Sequence, residues 1–325
     1  MADMLNLVTF DRIKEAAARI KGQISPTPLL RLPHLDRFFK GAEVYVKPES
    51  FQPIGSFKIR GATNKILDLA VAGCTRGVIT VSSGNHGQGV AYAAKKAGLR
   101  ATVLMPEIAS QLKADKARSY GAEVIISGQN NNEAEVRALE IMEREGYSFV
   151  HAYNDPLVIA GQGTIGLEIM EEAPDMAAIV CPIGGGGLIS GIALAVKSLN
   201  PQTAVYGVEP ALVPRFAASF EAGKPLTLYP DKLSIADGTR TMTAKELNYR
   251  MIKTYVDHLV NVEEDMIKDA LRLMTFEAKL IMETSSAMTF AAALNGKVPL
   301  ERGKKICFIL SGGNISYETL KQLLN

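Results

Sequence analysis

The sequence predicts an α/β fold of mostly parallel sheets covered by helices on both faces, arranged as two interleaved domains. Three observations carry this. Short runs that are apolar at every position alternate with helical patterns, as parallel strands buried on both sides do. The 325 residues correspond to about two domains at roughly 150 residues each. No Pro-, Gly- or Ser-rich linker divides the chain near its middle, so two domains have to interleave rather than follow one another.

The elements run in order. Residues 77–81 (GVITV) read as a strand, followed by the small-residue turn Ser82-Ser83-Gly84-Asn85 and an Ala-rich helix over 86–97. Residues 101–105 form a second strand, stopped by Pro106, which has no N–H to continue a ladder. Residues 122–126 are a third apolar run, leading into a charged helix over 132–145. Residues 149–151 are a strand, and a helix covers about 163–172. The strand at 178–181 runs into Gly184-Gly185-Gly186-Gly187 and another helix, and 204–208 and 305–310 repeat the scheme.

Composition excludes several classes. Lys+Arg 36 against Asp+Glu 34 gives a charge of +2 with 6% aromatics, so nothing favours nucleic acid as a partner. A chain with 47% hydrophobic and 22% charged residues is globular rather than disordered. No apolar run reaches the roughly 18 residues that a membrane span requires. The N-terminal stretch carries acids early and lacks the apolar core of a signal peptide. Cys74, Cys181 and Cys307 are three in number and form no CxxC pair; they read as buried thiols of a cytoplasmic protein.

In open α/β sheets, ligands sit beyond the carboxyl ends of the strands. Three such ends are rich in Gly, Ser and Asn: 82–85, 184–187 and 311–314. Small residues there let backbone N–H groups reach an anion at a helix start. Any one of them could be a tight turn and no more. Together they favour a ligand with several anionic groups. A literal GxGxxG stands at Gly161-Gln162-Gly163-Thr164-Ile165-Gly166, but its context is wrong for a dinucleotide. The segment before it, 155–160, reads as a turn entering a helix, and about 20 residues later comes the tetraglycine run with no acid.

Ser56-Phe57-Lys58-Ile59-Arg60-Gly61 sets a lysine between an aromatic and a branched apolar residue. An amine held among apolar groups is biased towards its neutral, nucleophilic form, although a lone lysine of this kind more often extends to solvent. The company it keeps changes the weight. The strings at 55–62 (GSFKIRGA), 82–89 (SSGNHGQG), 184–187 (GGGG) and 311–314 (SGGN) resemble those of the pyridoxal-phosphate enzymes of the tryptophan-synthase β fold (fold type II). Within them the chain looks most like the threonine dehydratase and serine racemase branch. The resemblance extends from Thr27 to Asn314. Sulfhydrylases and threonine synthases typically carry an acid after the lysine, where this chain has Ile59.

The resemblance implies two three-layer α/β domains with pyridoxal 5'-phosphate between them: a large cofactor domain from 1–67 and 157–325, and a small mobile domain from 68–156. It implies that Lys58 holds the cofactor and moves the substrate's α-proton, that Phe57 packs beside the ring, and that Asn85 bonds the ring hydroxyl. Gly184, Gly185, Gly186 and Gly187 would take the phosphate, with Gly238 beside the cofactor, and Ser311 would face the pyridine nitrogen. Ser82, Ser83, Gly84, Asn85 and His86 would receive the substrate carboxylate. For His86 a hydrogen-bonding role near the helix start and a role as base both stand. The implied reaction eliminates water from a β-hydroxy-α-amino acid, by default L-threonine or L-serine, and hydrolysis of the resulting imine gives a 2-oxo acid and ammonia. The alternative is an amino-acid racemase with Ser83 as acid/base on the face opposite Lys58. A homo-oligomer, dimer or tetramer, is expected.

Two departures qualify the resemblance. Relatives usually show Glu-Pro or Glu-Gly-Ala where this chain has Met282-Glu283-Thr284-Ser285-Ser286-Ala287, which leaves room for substrates bulkier than threonine. The branch's cation motif, ExxxAxD, corresponds to residues 209–215, where Arg215 replaces the second carboxylate. A guanidinium repels a hard cation, so no metal is expected there. The other arrangement has Arg215 pointing to solvent with Glu209 and waters holding an ion.

Overall fold

The computed structural model describes residues 4–107, 109 and 111–324. The strands are β1 (Leu30–Arg31), β2 (Glu43–Pro48), β3 (Val78–Val81), β4 (Ala101–Met105), β5 (Glu123–Ile126), β6 (Ser148–Phe149), β7 (Ala178–Pro182), β8 (Ala204–Pro210), β9 (His258–Val262) and β10 (Lys305–Leu310). The α-helices are α1 (Phe10–Ile20), α2 (Lys58–Val71), α3 (Asn85–Lys96), α4 (Gln111–Ser119), α5 (Asn131–Glu145), α6 (Pro156–Glu172), α7 (Gly187–Leu199), α8 (Arg215–Glu221), α9 (Glu246–Tyr255), α10 (Glu264–Glu277), α11 (Thr284–Leu294) and α12 (Tyr317–Leu324).

The fold is α/β, with two mostly parallel sheets. One has the order β1-β2-β10-β7-β8-β9, and only β1 runs antiparallel to its neighbour. The other, β5-β4-β3-β6, is parallel throughout and comes from an unbroken stretch of chain. The larger sheet joins strands from both sides of that stretch, because β10 pairs with β2 on one side and β7 on the other. Each sheet is buried on both faces. Phe39, Phe290 and Phe308 centre one core of the larger sheet, while Ile165, Ile179, Ile189 and Cys307 lie in another. No helix among the described residues is long and apolar enough to cross a membrane.

Several elements differ from what the sequence alone predicts. The helix expected from about residue 163 starts at Pro156, because Asp155 caps it by accepting from the N–H groups of Leu157 and Val158. The third apolar run is an edge strand with Glu123 and Ile126 exposed, so only one of its sides finds a neighbour. Residues 150 and 151 lie outside β6. The glycines of the false dinucleotide motif are buried within α6, where they let helices approach. A Cβ at Gly163 would meet the Gly191 carbonyl at 3.0 Å, and one at Gly191 would meet the Ile159 carbonyl at 2.3 Å.

Candidate active site

Lys58 opens α2, directly after a loop that the far end of the chain holds in place. The Phe57 N–H donates to the Ser311 carbonyl at 3.0 Å, Gly313 N–H donates to the Gly55 carbonyl at 2.9 Å, and Ser56 bridges to Gly312. The Lys58 amine donates to the Ala152 carbonyl at 2.8 Å and lies 5.1 Å from the centroid of the Phe57 ring. As a residue Lys58 is half-buried, with its amine drawn inward against the Ala152 carbonyl. Loss of solvent there disfavours the ammonium and pulls its pKa down to about 8. The shift gives the amine a much larger neutral, nucleophilic fraction at physiological pH than an ordinary lysine has.

The tetraglycine run leaves the end of β7 and enters α7, whose first-turn N–H groups have no intrahelical partners. Gly186 has φ +92, a conformation open to glycine at little cost. At Gly185 a Cβ would lie 2.2 Å from an atom of the Tyr153 ring, so the loop and the aromatic are packed backbone to face. Tyr153 follows Ala152, the acceptor for Lys58, and its own carbonyl takes a hydrogen bond from Asn248 at 3.1 Å. The loop and the lysine are thus two neighbours of one short segment. Gly238 sits against the same loop, its carbonyl 3.0 Å from where a Cβ of Gly184 would be.

Arg215 fixes the loop from behind. Its side chain is fully buried, not turned to solvent, and it donates to the carbonyls of Gly184 (2.6 Å), Ile183 (2.8 Å) and Thr239 (3.0 Å). Glu209 lies 3.7 Å from the guanidinium and accepts from the Phe216 and Ala217 N–H groups. Burial pushes the Glu209 pKa up, and Arg215 and these N–H groups oppose that shift. The carbonyls face the arginine, which leaves the N–H side of the loop for an anion.

Asn85, the first residue of α3, donates to Glu283 at 2.8 Å and accepts from the Asn314 amide at 2.9 Å. Asn314 also donates its N–H to Glu283 at 2.9 Å. Burial raises the Glu283 pKa, and Asp237 adds to this. Ser311 is buried and hydrogen-bonded to Ser286 at 3.0 Å. The Ser82 N–H donates to the Leu104 carbonyl, and the Ser82 hydroxyl accepts from Gly84 N–H at 3.2 Å. Ser83 is half-buried and has no hydrogen-bond partner among the described residues. His86 is buried, its Nε2 is 3.0 Å from the Val150 carbonyl, and desolvation then the nearby Lys58 charge lower its pKa to about 3. It is neutral and spent on that carbonyl, which is the hydrogen-bonding role of the two the sequence leaves open.

Sequence reasoning missed Glu283, Arg215 and Tyr153 as parts of this centre. Glu283 had a readable signal, an acid followed by Thr284-Ser285-Ser286 at the head of an apolar helix, where an exposed acid would be out of place. Arg215 and Tyr153 had none, because their partners lie far away in sequence.

A lysine amine of lowered pKa and a glycine loop with free N–H groups, both packed against residues 152–153, suit an enzyme whose cofactor carries an aldehyde and a phosphate. The comparisons make that specific. Residues 20–312 match the family model of the pyridoxal-phosphate dependent enzymes, and the chain belongs to that family. It is 43% identical over 319 residues to an L-threonine ammonia-lyase of Thermotoga maritima, covering 98% of this chain and 79% of that protein. It is 40% identical over 312 residues to a catabolic L-threonine dehydratase of Staphylococcus aureus, covering 95% and 90%. Among solved structures, a maize serine racemase superposes with a TM-score of 0.91 at 36% identity, covering 97% of this chain and 96% of that one. A threonine deaminase from T.th. gives 0.89 at 39%, covering 95% and 99%.

The residues present fit that cofactor. Lys58 has the amine for its aldehyde, the tetraglycine loop is uncharged and packed too closely for any side chain, and α7 supplies unpaired N–H groups for the phosphate.

Proposed function

We propose that the protein is an ammonia-lyase for a β-hydroxy-α-amino acid, with L-threonine or L-serine as the substrate. The carrying observation is the Lys58 amine, drawn inward and shifted to about 8, next to the Tyr153-backed glycine loop. When bound, pyridoxal phosphate supplies an aldehyde for the substrate amine and a ring that acidifies its α-carbon. Lys58 Nζ would hold the cofactor and, when free, would take the substrate's α-proton. N–H groups of the 82–86 loop hold the carboxylate, and those of 184–187 hold the phosphate. Asn85, fixed by Glu283 and Asn314, orients the ring hydroxyl, Phe57 lies beside the ring, and Gly238 leaves space for it. With a proton delivered to its oxygen, the β-hydroxyl would depart as water, and hydrolysis of the imine formed from the released enamine would give a 2-oxo acid and ammonia. Borohydride reduction should attach the cofactor to Lys58, and a panel of β-hydroxy amino acids should yield 2-oxo acid. No 2-oxo acid from any member would reject the reading.

A racemase is the second reading, supported by the unpartnered Ser83 hydroxyl and the likeness to the maize enzyme. D-serine forming faster than 2-oxo acid, with Ser83→Ala stopping only the former, would establish it.

Residues 68–156 serve as a small mobile domain against a large one from 1–67 and 157–325. In support, α4 reaches across with ion pair Lys113–Asp237 (2.8 Å) and a Lys116–Asn314 hydrogen bond (2.7 Å), contacts that closure would make and opening would break. Exposed Phe51 and Ile281 line one shared cavity of about 440 Å³ and support a homo-oligomer, dimer or tetramer. The unbridged Cys74, Cys181 and Cys307 support a cytoplasmic location.

A further inference from the structure

Ser286, in the first turn of α11, is fully buried. Its Oγ is 3.0 Å from Ser311 Oγ, 3.0 Å from the Gly312 carbonyl and 3.1 Å from the Gly312 N–H. A serine hydroxyl has one hydrogen and two lone pairs. The Gly312 N–H can only donate, so it uses one lone pair of Ser286. The single Ser286 hydrogen then has two destinations, the Gly312 carbonyl or Ser311 Oγ. That carbonyl already accepts from the Glu283 N–H at 2.9 Å, so it keeps a partner either way. Ser311 Oγ has no hydrogen-bond partner but Ser286 among the described residues, and either hydroxyl can be the donor of that contact; once the Ser311 hydrogen goes to a ring nitrogen, the contact can be kept only by the Ser286 hydrogen.

We infer that Ser286 gives its hydrogen to Ser311 and so sets the Ser311 hydroxyl as a donor to the pyridine nitrogen, keeping that nitrogen unprotonated. This rests on the proposed function, which places the ring nitrogen against Ser311. The donations run one way, from Gly312 N–H to Ser286 to Ser311, and each polarises the next. The N-terminal end of α11 adds positive potential at the same spot, which opposes a proton on the nitrogen. The Glu283 carboxylate, at the head of the same helix, could favour such a proton, but it is engaged by Asn85 and the Asn314 N–H. Thus Ser286 is a positioning residue: it touches neither substrate nor cofactor, and acts through Ser311.

The test loads the protein with pyridoxal phosphate carrying 15N in the ring and reads the nitrogen resonance by NMR in four forms. In the wild type the signal should be that of a neutral nitrogen accepting a hydrogen bond. In Ser311→Ala it should move downfield, to a neutral nitrogen without a donor. Ser286→Ala should fall between the two, with kcat lowered about two- to tenfold, the worth of one neutral hydrogen bond, and KM little changed. Ser286→Thr keeps the hydroxyl and should keep the wild-type signal. A Ser286→Ala signal identical to wild type, or one moved upfield towards protonated nitrogen, overturns the inference. Wild-type protein that fails to take up the label at Lys58 overturns the cofactor assignment instead, and the two failures are told apart by reduction and mass measurement.

Discussion

The two loops proposed to bind anions are built in opposite ways. The 184–187 loop is boxed in: Tyr153 faces Gly185, Asn248 and Phe216 crowd Gly186, and Arg215 holds the Gly184 carbonyl. The 82–84 loop is half-exposed, a Cβ at Gly84 would meet nothing within 4 Å, and Ser83 has no hydrogen-bond partner among the described residues. The first loop hangs on the larger sheet and the second on the smaller. A cofactor that stays bound rewards a rigid cradle, whereas a substrate that enters and leaves needs a loop with room to adjust. On the proposed function, the difference teaches that the tightly packed loop serves the ligand that stays and the open loop the ligand that comes and goes.

Removing the lysine on which the proposed function turns should have the largest effect. Lys58→Ala is expected to abolish turnover, since no other amine sits at that point, while the fold persists. Burial lowers the Lys58 pKa, so in the apoprotein the charged amine opposes folding below the usual 10.5, and fully so below about 8. The variant should therefore melt no lower than apo wild type at pH 7. A thermal scan and a 2-oxo acid assay check both halves.

Next comes the rigid loop. Arg215→Gln leaves Glu209 buried without its cation, a change that costs about 3–5 kcal/mol, and frees the carbonyls of Ile183 and Gly184. Cofactor affinity and denaturant midpoint should both drop, with added magnesium restoring neither. Gly185→Ala forces its methyl into the Tyr153 ring and should cost about 1–3 kcal/mol, with weaker cofactor binding in an absorbance titration. Equal loss in Gly84→Ala would erase the contrast between the loops. That variant has open space and is expected to keep stability within about 0.5 kcal/mol.

The smallest effect sharpens the comparison through pH. Because burial lowers the Lys58 pKa to about 8, capture of pyridoxal phosphate by the apoprotein should slow as pH falls through that value. Stopped-flow absorbance reads the midpoint, and a midpoint near 10.5 would mean that the amine is not drawn inward in solution.

Much of this was legible in the chain, and unevenly so. The strands at 78–81, 101–105 and 178–182 are apolar at nearly every position, so they announced themselves. The two-residue strands β1 and β6 are too short for any period. The start of α6 was missed because Asp155-Pro156 reads as a turn; a cap and an N1 proline look the same as a turn until the helix behind them is known. Lys58, the tetraglycine loop, Asn85 and Ser311 stood out because each lies in a compact run of unusual residues.

What the sequence determined by itself is therefore what short range encodes. Alternating apolar runs and helical patterns specify a parallel α/β fold, and the wrong context of GxGxxG excludes a dinucleotide site. The tertiary structure alone decided that Arg215 turns inward to clamp the glycine loop, that Glu283 anchors Asn85 across 198 residues of chain, and that Ser286 reaches Ser311. These pairings join segments distant in sequence, and a buried polar side chain goes wherever the packed backbone offers a partner. No local propensity carries that information; it exists only once both sheets have formed.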